Sequence, residues 1–592
     1  MNGPHSFPVG RATRVLLCLP IGVLVAAELA RLPSAFGATL GNPIAPLGAA
    51  ALVAVAAATI HAACRRPSLL GALFGSIFAL AAFVCFDLDV PRRRGVALAI
   101  GAAVTIEASR MLIEHCALRG RAWVAIGSAI LIALAVGGFQ ARAAADRAPL
   151  RGEISVSSAS PRQAPPRAAR SIVLITMDTT RRVDLGCYGQ ERATTPHIDS
   201  FAAGSTRFSR AYATSPFTAP SIASIITGQL PVDHGSISSS PLLAPGSMTL
   251  AEHCYESGFE TAGFLDNPWL GTDFGLARGY EYLSRQTNLR EIERWLDARQ
   301  GQRFFLHVHL FHPHGPYDLR TEGLAALGGP SVPPAAREIG DSIPARRIRD
   351  GEVPGRSGLS PEEMRWAHDI YLSEVRAMDD WIGSFLGALD ERDLLESSVI
   401  ALTADHGEEF GERGGMHHSH TLFGELVHVP LIIRSRELVT GSREQTISLA
   451  ALGPSLATLA GIEPMPGMSE SIPGLNSNPA NSSKPKPAIS IRCRQAGRHF
   501  LRATTDRWAL HVRLIPDREG EEIWLFDLAA DPGESTNVLG QFENVASEIL
   551  STTGVTAALE GLRKISLVPE EGTQRVLTPR TARDLRVLGY AK

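Results

Sequence analysis

Apolar residues dominate the first 145 positions almost without interruption; beyond them they fall into short bursts separated by polar and turn-forming residues. The early region holds five apolar stretches, at 15–35, 44–64, 68–90, 95–116 and 122–141. Each is near the ~20 residues that a membrane-spanning helix needs. The first is longer than a signal-peptide core and lacks a clean small-residue cleavage site, so it reads as an anchor. Glu107, Arg110 and Glu114 interrupt the fourth; a polar face turned into a bundle accommodates them, with a re-entrant helix as the alternative. Residues 1–145 are thus expected to form an α-helical membrane bundle of five transmembrane helices. Arg11 and Arg14 before the first span, Arg65 and Arg66 in the second loop, and Arg119 and Arg121 in the fourth place the N-terminus in the cytoplasm. Arg92, Arg93 and Arg94 in the third loop run against that assignment. Five crossings then deliver everything after residue 145 to the periplasmic or extracytoplasmic side.

Residues 146–170 are rich in Ala, Pro, Ser and Arg and read as a flexible linker. The pattern then changes to strands alternating with helices. Ser171–Met177, Arg303–Leu310 and Ser398–Ala404 predict apolar strands, and Met364–Leu389 has helical spacing. Such alternation predicts an α/β domain with a mostly parallel sheet over 171–465. Two Pro/Gly-rich stretches, about 323–360 and 464–488, read as surface insertions. Beyond the second, RHFLRATTDRWALHVRL and EIWLFDL predict short strands, hence a small antiparallel C-terminal subdomain over 466–592.

At 592 residues the chain exceeds a single hydrophobic core. The net charge of −3 gives no reason to expect nucleic acid as a partner. Seven cysteines are scattered, and only Cys187, Cys254 and Cys493 lie in the soluble part, so no disulfide framework is expected.

The chemistry lies where strands end. The first strand runs into Asp178, and the strand 398–404 runs into Asp405, His406 and Gly407. Open α/β sheets bind ligands at the carboxyl ends of strands, where two acids and an imidazole could share one metal ion; a turn or cap is the ordinary role of a lone Asp there. Between these sites, Pro220 suits the first turn of a helix and Gly228 its end, with Ile222, Ile225 and Ile226 as the apolar stripe. Thr218 then sits at the helix N-terminus, where free N–H groups favour an anionic ester and a metal could activate the hydroxyl. From this stretch alone, a simple N-cap role for Thr218 is the plainer reading.

The segments VLITMDTTRRVDLGCYG, TPHIDSFAAGSTRFSRAYATSPFTAPSIASIITGQLPVDHG, FFLHVHLFHPHGPYDL, VIALTADHGEEFGERGGMHHSHTLFGE and LFDLAADPGESTN, in this order, resemble sulfatase-family signatures. The resemblance implies an alkaline phosphatase/sulfatase-like sandwich and a metal-centred site that cleaves sulfuric or phosphoric esters. It implies Asp178, Thr218, Asp405 and His406 as metal ligands and Thr218 as the nucleophile. It matches His314 to a residue contacting the ester, His418 or His420 to one holding the transferred or leaving group, and His234 to one near the nucleophile segment. Departures are informative. Formylglycine sulfatases carry Cys or Ser where Thr218 stands and Arg where Ile222 stands, so no formylglycine is expected. Thr179 replaces a second acid and His406 an Asn, which favours one Zn or Mn ion over Ca. This set is similar to that of phosphoryl-transferring relatives such as lipoteichoic acid synthases and lipid A phosphoethanolamine transferases, also built on five spans. Expected partners are the lipid bilayer and a sulfated or phosphorylated substrate. A transferase acting on envelope lipid or glycan is the alternative enzyme; a catalytically silent binding protein is the non-enzyme alternative, against which the intact metal set argues.

Overall fold

The computed structural model describes residues 163–592 except 239, 329–358, 464–466, 468–469, 476–485, 494–498, 516–520, 568–576 and 588–592. The five apolar stretches, most of the linker and the middle of both Pro/Gly-rich stretches lie outside the described residues. Among the described residues no helix is long and apolar enough to cross a membrane.

The first strand, β1 (Ile172–Met177), is apolar except at Thr176 and fully buried, as a strand covered on both faces must be. It is a central member of an eight-stranded sheet. β5 (Phe304–Leu310) and β6 (Val399–Ala404) flank it, both parallel to it. β3 (Glu260–Leu265) and β4 (Tyr282–Ser284) extend the sheet beyond β5, again in parallel. On the other side β9 (His428–Arg434) runs antiparallel to both β6 and β2 (Thr206–Tyr212), and β10 (Gly441–Ser448) closes the edge parallel to β2. The central sheet is therefore mixed, with one reversed strand.

Side chains alternate across β1. Ile172 and Leu174 join the core formed with helix α1 (Thr218–Thr227) and a later helix, Leu452–Ala460. Val173, Ile175 and Met177 face the long helix α2 (Pro361–Asp390) on the opposite side. Ile222, Ile225 and Ile226 of α1 are buried, each worth roughly 1.5–3 kcal/mol relative to exposure, so the helix that begins at Thr218 is anchored by its apolar stripe. Gly228 ends α1 in the left-handed conformation, φ +67°, which costs glycine nothing.

The stretch beginning at 323 is not wholly a surface insertion. It opens within a helical turn, Thr321–Ala326, that packs on α2, because Leu324 and Leu327 are apolar enough to bury there.

The C-terminal sheet is an antiparallel meander of β11 (Ala488–Cys493), β12 (His499–Thr504), β13 (Trp508–Leu514) and β14 (Glu521–Asp527). Helix Thr553–Leu567 covers it through Val555, Ala558, Leu559 and Leu562. This sheet reaches back to the loop after β8 (Met416–His417), which pairs with β7 (Glu409–Phe410). Arg492 Nε donates to the Ser419 carbonyl at 2.7 Å and Arg502 to the Leu422 carbonyl at 3.0 Å. Glu534 accepts from the Gly424 N–H at 2.9 Å. The histidine-rich segment 417–420 is thus braced from outside the main sheet.

Candidate functional site

Because β1 and β6 are parallel neighbours, Asp178 and Asp405 leave the sheet side by side at its carboxyl edge. The Asp405 N–H donates to the Met177 carbonyl at 3.2 Å, which carries the strand pairing to the site. Gly407 follows because nothing larger fits: a Cβ there would lie 2.1 Å from the Glu425 carbonyl oxygen. Helix α1 starts at Thr218, with Phe217 as its N-cap and no side-chain cap. The Thr218 hydroxyl is therefore not spent on capping, the plainer role open to it in the sequence. Ser221, one turn on, donates its hydroxyl to the Asp405 carbonyl at 2.5 Å and ties helix to strand end.

The result is a fully buried cluster. Ligand atoms of Asp178, Asp405 and His406 all lie within 4.8 Å of one another. His406 Nε2 is 3.8 Å from Asp178 Oδ1, 3.7 Å from Asp405 Oδ2 and 3.4 Å from Thr218 Oγ1. The remaining oxygens are engaged elsewhere. Asp178 Oδ2 accepts from Asn267 Nδ2 at 2.7 Å and faces His309 Nε2 at 3.3 Å. Asp405 Oδ1 accepts from the backbone N–H groups of His406 and Thr179, at 2.8 and 3.2 Å. The two oxygens turned toward His406, Asp178 Oδ1 and Asp405 Oδ2, have no hydrogen-bond partner although buried. His406 Nδ1 donates to the Gly407 carbonyl at 2.9 Å, leaving the Nε2 lone pair aimed at the cluster. Two orphaned carboxylate oxygens, an imidazole nitrogen and a hydroxyl, all converging, fit a single divalent ion.

The electrostatics agree. Burial raises the Asp178 carboxyl, but the imidazoles of His314, His309 and His406 outweigh it and hold the group below the usual carboxylate range. Asp405 is pushed up to about 6, by burial and then by the Asp178 charge beside it. Each carboxylate opposes the other's ionisation, and a divalent cation removes that opposition.

The predicted histidines separate. The His418 ring lies 4.5 Å, centroid to centroid, from the His406 ring, and His314 lies 5.0 Å from His418. His418 Nδ1 donates to Glu408 Oε1 at 3.0 Å, while Tyr317 donates its hydroxyl to Glu408 Oε2 at 2.8 Å. Burial holds His418 well below its usual range, so the ring is neutral and Nε2 carries the lone pair. Burial lowers His314 too, and its Nδ1 donates to the Gly315 carbonyl at 2.5 Å. His420 turns away to pair with Glu409. His234 does not join the cluster either: its Nδ1 accepts from the Ser236 N–H at 3.1 Å and its Nε2 meets Ser224 Oγ of α1 at 2.9 Å. It buttresses helix α1 through Ser224.

Asn267, His309 and Glu408 were not singled out by sequence reasoning. Residues 170–462 contain no lysine.

A family model for sulfatases matches residues 170–462. Human arylsulfatase A is 25% identical over 458 residues, covering 64% of this chain and 85% of that protein. Choline-sulfatase of Rhizobium meliloti (strain 1021) is 23% identical over 415 residues, covering 58% of this chain and 77% of the relative. The crystal structure of the phosphonate monoester hydrolase of Agrobacterium radiobacter shares the fold, with a TM-score of 0.53 at 20% identity over 67% of this chain and 96% of that one. The strand-end cluster and the family match fall in the same segment: residues 170–462 match the sulfatase family, whose relatives here are ester hydrolases.

Proposed function

We propose that this protein is a membrane-anchored, metal-dependent hydrolase that cleaves sulfate or phosphate esters through Thr218, with its catalytic domain outside the cytoplasm. One observation carries the reading: the uncapped Thr218 hydroxyl, two orphaned carboxylate oxygens and His406 Nε2 converge in one buried place. Asp178, Asp405, His406 and Thr218 would hold the ion, which supplies charge neutralisation at the ester and eases loss of the hydroxyl proton.

The residues divide the remaining work. Thr218 Oγ1 attacks sulfur or phosphorus, a bond forms to the threonine oxygen, and the alcohol oxygen departs with the proton that threonine lost. His418, held by Glu408, offers Nε2 to carry that proton. His314, packed on His418, contacts the ester oxygens. Water then attacks the threonine ester and returns a proton to Thr218. A lipid or glycan hydroxyl in place of water makes the same cycle a transferase; the unmodifiable threonine and the five predicted spans favour keeping that second reading.

The names of human arylsulfatase A and the Rhizobium meliloti choline-sulfatase point to sulfate esters, and the Agrobacterium radiobacter enzyme to phosphonate monoesters. The anchor and its orientation rest on the apolar stretches and arginines before residue 145. The deciding experiment is a panel of sulfate monoesters, phosphate monoesters, phosphodiesters and phosphonate monoesters assayed with the full chain. Turnover of none of them, with metal bound, would leave a silent binding protein.

A further inference from the structure

Strand β5 is buried at every position, yet residues 307 and 309 are histidines where Leu or Val would be cheaper. Both lie on the face shared with Thr176 of β1, since the register pairs Leu174 with His307 and Thr176 with His309. Thr176 Oγ1 is 2.9 Å from His307 Nε2 and 2.8 Å from His309 Nδ1. The Tyr280 hydroxyl is 2.8 Å from His307 Nδ1. At the other end His309 Nε2 meets Asp178 Oδ2 at 3.3 Å. Tyr280, His307, Thr176 and His309 therefore form one unbroken buried chain that ends on a carboxylate of the cluster.

The carboxylate sets the direction of every link. An ionised Asp178 only accepts, so His309 carries its proton on Nε2 and accepts at Nδ1 from the Thr176 hydroxyl. Thr176 then accepts from His307 Nε2–H, and His307 Nδ1 accepts from the Tyr280 hydroxyl. Each polar atom of the chain is then satisfied, and burial holds His307 well below its usual range, in keeping with this pattern.

We propose that His309, backed by Thr176, His307 and Tyr280, is a positioning residue for Asp178. Together with Asn267 it pins Oδ2, so that Oδ1 is presented to the cluster. This rests on the metal-site reading above. Stability alone does not call for the chain, because a well-packed apolar side chain in place of a buried polar network is often neutral or stabilising.

The test uses the full chain in detergent, stripped with a chelator and titrated with Zn²⁺ alone against a chromophoric competitor. His309→Leu should weaken Zn²⁺ binding about 10–100-fold, the range for partners of metal ligands, while the metal-free Tm stays equal or rises. Thr176→Val, which cuts the chain one link further back, should weaken binding less but in the same direction, and it decides the matter if His309→Leu does not fold. Either folded variant binding Zn²⁺ as tightly as wild type overturns the proposal. Wild type that binds no divalent ion defeats the metal-site reading itself, a distinct result.

Discussion

Thr218 Oγ1 and His406 Nε2 face each other 3.4 Å apart, across the junction of a helix start and a strand end. The helix takes its N-cap from Phe217, so the hydroxyl is left to the cluster. Ser221 holds the two elements together through the Asp405 carbonyl. The proposed chemistry at this junction uses threonine as the gene encodes it.

That leads to the first prediction. Threonine has no route to formylglycine, and Ile222, buried in the core, takes the place of the arginine found with it. Mass spectrometry of the peptide holding Thr218 should show unmodified threonine, or an added sulfate or phosphate after trapping with substrate. A formyl signal at position 218 would defeat the Thr218 mechanism.

The two histidines matched to the transferred or leaving group are told apart by their acids. Glu408 holds His418, and Glu409 holds His420. Glu408→Gln should lower kcat about 100-fold with a small change in KM, as expected when an acid–base group loses its orienting partner. His420→Gln should stay near wild-type turnover. The reverse ranking in steady-state kinetics would move the proton-handling role to His420.

The brace from the C-terminal sheet makes a pH prediction. Burial raises Glu534, but Arg502 at 2.7 and 2.9 Å and His511 at 2.9 Å outweigh it and pull it down to about 2. A carboxyl with a depressed folded-state pKa contributes stability that is present above its unfolded value, about 4.3, and is lost as pH falls toward the folded value. Thermal melts of the full chain should therefore lose stability between about pH 4.5 and 2. Glu534→Gln should remove part of that dependence. It should also destabilise at neutral pH by about 3–5 kcal/mol, because Arg502 is left buried without its charge partner.

Much of this site was legible in the sequence because strand-end acids and a Pro/Gly-bounded helix leave local patterns. Asp178, Asp405, His406 and Thr218 are of that kind. His309 was hidden because a histidine inside an apolar strand looks like part of the strand until the register places it beside Thr176. Asn267 lies in a loop with no periodicity, brought to Asp178 only by the order of β3 and β5. Glu408 and Glu409 are adjacent and identical in type; only the loop geometry assigns each to a different histidine. β11 went unread because it directly follows the Pro/Ser-rich stretch ending near 488.

Topology is open to direct measurement. Reporter fusions made after residue 145 should be active as an exported enzyme and silent as a cytoplasmic one, given Arg11, Arg14, Arg65, Arg66, Arg119 and Arg121. The opposite pattern would reverse the proposed orientation.

The last prediction separates ligand from nucleophile. Asp405→Asn keeps the side chain's shape and its accepting oxygen Oδ1, but it removes the charge carried toward His406. Metal content should fall, and turnover should fall with it, partly recovering at high metal concentration. Thr218→Ala removes the attacking oxygen and leaves Asp178, Asp405 and His406 in place. Its metal content should remain largely intact while turnover is lost beyond rescue by added metal. Helix α1 should survive the change, since Thr218 is not its cap and the buried Ile222, Ile225 and Ile226 hold it to the core. Comparing metal content, turnover and Tm in the two variants therefore gives opposite signatures. Full activity in Thr218→Ala would mean that the hydroxyl is a bystander, and the attack would have to come from water at the same cluster.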